Sequence, residues 1–110
     1  MNSYVSIKPL VLAVLESEFP HLRDTDGIAV LGLFGSVSRG EETPDSDVDI
    51  LHRFTDADTD FEVLFALQKD LERLFKRSVE LVSMDYVDTY IRPYVIRDAI
   101  LYGDFERGFA

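Results

Sequence analysis

Ile28-Ala-Val-Leu-Gly-Leu-Phe34 runs straight into Gly35-Ser-Val-Ser-Arg-Gly40, and after an acidic, proline-containing stretch the chain resumes as Asp47-Val-Asp-Ile-Leu-His-Arg-Phe54. The first run is apolar or glycine throughout and stops abruptly at Gly35-Ser36. That is the pattern of a short strand buried on both faces. Asp47 to Phe54 alternates at its start and is apolar in its middle, as a second strand does. Residues i and i+2 of a strand share a face, so Asp47 and Asp49 stand side by side while Val48 and Ile50 turn to the core. Between the strands, Val37 to Gly40 reads as a turn or short helix, and Pro44 keeps the acidic loop irregular.

Helices flank this centre. Pro9 to Phe19 places Leu10, Val11, Val14, Leu15 and Phe19 on one helical face. Pro9 fits the first turn, and Pro20 is expected to end the helix and leave His21 to Gly27 as a loop. Asp60 to Phe75 has the clearest 3.6-residue period, through Phe61, Leu64, Phe65, Leu71 and Phe75. Asp58 and Asp60 put negative charge at its start, and Lys76 and Arg77 put positive charge at its end, as the helix dipole prefers. Ser78 to Ser83 alternates and makes a third strand. Asp85 to Tyr102 reads as helical, interrupted at Pro93, with Ile96, Ala99 and Ile100 as its apolar stripe and Gly103 as its cap. The fold class is therefore α/β (α+β), a small mixed β-sheet flanked by helices.

Composition narrows the function. The 110 residues are the length of one domain, and a hydrophobic share of 46% supports a real core. There is no cysteine, which excludes disulfides, thiolate metal sites and cysteine nucleophiles. No apolar run approaches the roughly 18 residues of a membrane helix, and the N-terminus lacks a signal-peptide pattern. A soluble, cytoplasmic protein is expected. The formal net charge is −10 and the isoelectric point about 4.4. This disfavours direct binding to nucleic acid or an anionic membrane and favours cations and basic protein surfaces as partners. Eight carboxylates crowd the interval from Glu41 to Asp60, against the single Arg53.

Three features carry candidate chemistry. Gly35-Ser36 after a strand is either an ordinary turn or a seat for phosphate, with Ser36 as an added donor and Arg39 one turn on, within reach of an anion. Asp47 and Asp49 are either a solvated acidic face or oxygen ligands for a hard cation such as Mg²⁺. Glu80 is a charge in the middle of the apolar Val79–Val82 run; it is either the exposed side of an alternating strand or a third carboxylate joining the pair. Three converging carboxylates beside a phosphate-cradling turn are the parts of two-metal nucleotidyl transfer.

Gly35-Ser36, ten residues, then Asp47-Val48-Asp49 matches the G-S-x10-D-x-D signature of the DNA polymerase beta nucleotidyltransferase superfamily. FGSVSRGEETPDSDVDI more closely resembles the minimal nucleotidyltransferase (MNT) antitoxins, and the order of elements and the terminal YIRPYVIRDAILYG segment extend the resemblance over the chain. It implies one minimal nucleotidyltransferase domain over residues 1–110. It also implies an antitoxin that uses ATP and Mg²⁺, two ions in all, to attach AMP to a tyrosine of a cognate HEPN-domain toxin ribonuclease. By the same resemblance Gly35 and Ser36 bind the triphosphate, Arg39 contacts phosphate, and Asp47 and Asp49 are catalytic metal ligands. Glu80 takes the third carboxylate position, usually aspartate in such antitoxins, where its extra methylene suits it to act as a base or as a looser ligand. The competing readings are an antitoxin that only masks its toxin, or a small-molecule nucleotidyltransferase.

The remaining candidates have plainer roles. His21 and His52 lack a second histidine at ligand spacing, and His52 is expected along its strand at the surface. Tyr86, Tyr90, Tyr94 and Tyr102, with Phe105 and Phe109, are expected mostly to pack the terminal helix, with an aromatic contact surface as the alternative.

Overall fold

The structure, a computed structural model, describes residues 3–56 and 59–103. Asp58, Phe105 and Phe109 lie outside them. In chain order the elements are α1 (Lys8–Asp26), β1 (Ile28–Phe34), α2 (Gly35–Arg39), β2 (Val48–Phe54), α3 (Phe61–Phe75), β3 (Val79–Ser83), a 3₁₀ turn (Met84–Tyr86), α4 (Arg92–Asp98) and β4 (Ile100–Gly103). The strands form one sheet in the order β3-β2-β1-β4. β1 is antiparallel to both its neighbours, while β3 runs parallel to β2 through the crossover helix α3.

The sheet separates two cores. Ile28, Leu31 and Leu33 of β1 and Val48 and Ile50 of β2 pack with Val11, Leu15 and Leu22 of α1 and Leu67, Leu71 and Phe75 of α3. On the other face Val30 and Leu51 meet Met84, Val87 and Val95 in a smaller cluster. α3 begins where its charge pattern places it: the Asp60 carboxylate accepts from the Glu62 backbone N–H and caps the helix.

Two expectations about the helices fail. α1 does not stop at Pro20 but continues to Asp26, with Gly27 in the left-handed region donating its N–H to the Leu22 carbonyl. Proline removes one intrahelical bond, but Pro20 is exposed, so water can serve the freed carbonyl. Burial of Leu22 (5% exposed) anchors the extra turns. The C-terminal helix is likewise much shorter than expected. Pro93 lies in the first turn of α4, where proline is tolerated, and the chain then extends as β4 with Leu101 opposite Gly32. A Cβ at Gly32 would lie 2.4 Å from a Leu101 methyl, so the glycine makes room for this fourth strand.

Candidate active site

Asp49 is the second residue of β2 and faces away from Val48 and Ile50. Its partners in the ladders are Phe34 at the end of β1 and Glu80 on β3. Asp47 lies just before the strand. The parallel pairing therefore sets Asp49 and Glu80 side by side, as the alternation of both segments implies. Asp49 is half-buried, while Asp47 and Glu80 are exposed. The Asp49 carboxyl is pushed up to about 6, first by burial, then by the charge and hydrogen bonding of Glu80, then by the charge of Asp47, with Arg39 opposing. Three acids thus act on one another across two strands.

Gly35 closes the other side. Its φ is +78°, and a Cβ there would meet an Asp49 carboxylate oxygen at 2.2 Å. Only glycine lets the backbone turn so close to this carboxylate. Ser36, half-buried, follows at the start of α2. From β1 across to β3 the order is Gly35-Ser36, then Asp49 with Asp47, then Glu80. An open cavity of about 540 Å³ lies beyond Glu80, lined also by Asp47 and by Phe61, Leu64, Phe65 and Gln68 of α3.

Arg39 is less free than its position suggests. Its Nε donates to Glu41 at 3.0 Å and its Nη1 to Asp98 at 2.5 Å. Sequence reading did not select Asp98. Its carboxylate also accepts from Arg97 at 2.9 Å, and its backbone carbonyl accepts the Ser38 hydroxyl. Hydrogen bonds from Arg97 and Arg39 hold its pKa below the ordinary range against the effect of burial. Asp98 thereby pins α4 to α2 and fixes the arginine beside Asp49. The available signal was an acid three residues after Val95, on the same, buried helical face.

Glu42 was also missed. Within the acidic loop it is buried, accepting from the Tyr4 hydroxyl at 2.6 Å, the Ser6 hydroxyl at 2.8 Å and the Ile7 N–H at 2.8 Å. Burial acts to raise its pKa, but these hydrogen bonds outweigh it and hold the carboxyl below its usual range. Arg77 donates to the Thr43 carbonyl at 3.0 Å and secures the same loop, which leads into Asp47. His52, expected at the surface, is buried against Phe54 with ring centroids 5.5 Å apart. Tyr86, Tyr90 and Tyr94 are exposed rather than packed, and Tyr102 is partly buried.

The donor set fits a hard divalent cation. It offers only carboxylate oxygens, and the raised pKa of Asp49 marks a surplus of negative charge that a cation would relieve. Among the described residues no three acidic, histidine or cysteine side chains are already gathered into a metal cage. No helix among them is long and apolar enough to cross a membrane.

A strand ending on a glycine-serine turn, with a paired aspartate strand beside it, defines a class, and comparison agrees. Residues 20–106 match the polymerase beta nucleotidyltransferase family model, and the chain belongs to this family of nucleotidyltransferases. Among curated relatives, the protein adenylyltransferase MntA of Thermococcus cleftensis is 33% identical over 80% of this chain and 88% of its own. A solved structure described as a minimal nucleotidyltransferase superposes with a TM-score of 0.68 at 29% identity, covering 90% of this chain and 98% of that one. The fold also recurs, at 22% identity and a TM-score of 0.59, in a complex of an MNT antitoxin with a tri-AMPylated HEPN toxin from Shewanella oneidensis (84% of this chain, 72% of that one).

Proposed function

We propose that this chain is the antitoxin of a HEPN/MNT-type pair, a cytoplasmic protein adenylyltransferase that moves AMP from ATP to a tyrosine hydroxyl of its cognate HEPN-domain toxin. The observation that carries the reading is the row formed by Gly35, just after β1, Asp49 on β2 and Glu80 on β3, with Gly35 pressed against the Asp49 carboxylate. The name of the Thermococcus relative, a protein adenylyltransferase, supports the choice of reaction.

Each residue then has a role. Gly35 and Ser36 receive the triphosphate, because the glycine leaves its backbone bare and the serine hydroxyl can donate. Arg39, held by Glu41 and Asp98, keeps positive charge near the phosphates. Asp47 and Asp49, with Glu80 as the third carboxylate, would hold Mg²⁺, two ions in this reading, which neutralises the phosphate charge and acidifies the acceptor hydroxyl. Glu80 stands on the side away from Gly35 and takes the tyrosine proton, whose reference pKa near ~10 calls for assistance. The tyrosine oxygen bonds to the α-phosphorus, the bond from that phosphorus to the bridging oxygen breaks, and pyrophosphate leaves. The charge of −10 suits a basic partner, since opposite potentials speed encounter.

The test is to incubate toxin purified without prior exposure to this chain with the chain, Mg²⁺ and ATP labelled at either the α- or the γ-position. Label is expected on the toxin from α-labelled ATP only, with mass increments of AMP that vanish in an Asp47→Ala, Asp49→Ala variant. Neutralisation of the toxin by stoichiometric amounts without ATP would overturn the reading in favour of masking.

A further inference from the structure

β3 is an edge strand: β2 pairs with one side of it, and no described strand pairs with the other. Helix α3 covers its outer side at the first residue and leaves the rest open. Ser78 gives its carbonyl to Val48 of β2, so the next carbonyl, that of Val79, points outward. There it accepts from Gln68 Nε2 at 2.9 Å, and the Val79 N–H donates to a Glu72 carboxylate oxygen at 3.0 Å, so two side chains of α3 close the edge at Val79. Phe61 and Phe65 of α3 border this edge at 75% and 50% exposure, large rings left uncovered.

The trough they border is continuous. The cavity beside Asp47 and Glu80 shares Phe61 and Leu64 with a second cavity, of about 200 Å³, that continues to Ser83 and Asp85. Together they run beside β3, whose edge beyond Val79 is about 13 Å at the usual rise per residue, which matches an extended segment of about four residues. His52, which lines the second cavity, is 6% exposed, and its Nδ1 has no hydrogen-bond partner. Buried polar atoms are rarely left so. The trough is also acidic at its catalytic end, where Asp47 and Glu80 are in no ion pair among the described residues.

We infer that the edge of β3 beyond Val79, walled by Phe61 and Phe65, is the track on which the acceptor protein docks, as an extended, basic-flanked segment carrying the tyrosine that receives AMP. This rests on the function proposed above. With the triphosphate at Gly35-Ser36, an acceptor reaching across Asp47 and Asp49 must enter from the Glu80 side, and that side opens into the trough. Main-chain pairing to β3 beyond Val79 holds such a segment whatever its sequence, the rings of α3 select an aromatic residue, and the acids select its basic neighbours.

The experiment uses a Phe61→Ser, Phe65→Ser variant of the full chain and the purified HEPN-domain partner. Binding of the partner without ATP is expected to weaken about tenfold or more, as for loss of aromatic anchors. KM for the partner should rise while kcat at saturation and ATP affinity stay unchanged. A photo-crosslinker replacing Phe65 should label the partner within a few residues of the modified tyrosine. Unchanged partner affinity overturns the proposal. So does a loss of ATP affinity, which would place the nucleobase in the trough, or the dissolution of a homodimer, which would make the edge a contact between copies. If the native chain transfers no AMP while the variant still loses the partner and the crosslink persists, the reaction reading fails and the docking track stands.

Discussion

Ile50 and Asp49 are consecutive on β2 and look out on opposite sides of the sheet. Ile50 enters a thick core closed by α1 and α3, in which Val11, Leu15, Ile28, Leu31 and Leu33 are wholly buried. Asp49 enters a thin layer whose apolar cluster is much smaller and whose edge carries three mutually repelling acids. The proposed site sits on the thin side, where charged groups can stay partly wet and reach a ligand. The thick side holds the strands that keep those groups in register.

Substitutions on the two sides should therefore fail differently. The largest effect is expected from Asp49→Asn, which should cut AMP transfer by about 10³-fold or more, as losing a principal charge-stabilising group does. The same change should raise Tm of the metal-free protein at pH 7 and leave it unchanged near pH 3. The folded pKa of about 6 lies above the unfolded 3.8, so the native state favours the neutral carboxyl. That stabilisation is complete below the unfolded value and is lost as pH rises through the folded one; asparagine keeps the neutral form at every pH. Thermal melts with and without Mg²⁺ check this, since Mg²⁺ should raise the Tm of the native chain and not that of the variant.

Ile50→Ala should reverse the pattern, costing about 2–5 kcal/mol of stability by denaturant titration while the molecules that remain folded still bind ATP. Asp98→Asn lies between, because the residue belongs to the thin side but is packed. It should lower Tm by roughly 5 °C and raise KM for ATP several-fold with less change in kcat, the sign of a loosened Arg39. Tyr90→Ser, on the outermost surface, should shift stability by less than about 0.5 kcal/mol.

Much of this comparison is legible in the sequence. Period-2 alternation placed Asp47 and Asp49 on one face, and the uninterrupted apolar run gave β1 its central position. Glu80 stood out as a charge in an apolar strand, and the parallel ladder puts it opposite Asp49. The misses have a common cause, long-range packing that overrides a local signal. Pro20 is a helix breaker on local grounds, yet Leu22 has a core to enter. Ile100 to Tyr102 can continue a helical stripe, yet β1 has an open side that Gly32 leaves room to cover. Glu42 looks like one more solvated acid, and only contacts with residues more than thirty positions away make it buried.

That last contact gives the N-terminal arm a say in the chemistry. Tyr4, Ser6 and the Ile7 amide supply donors to a carboxylate shut away from water, in the loop that delivers Asp47. Trimming the chain to Lys8 would strand that acid, and the slack would be felt at the reaction centre rather than at the cut end.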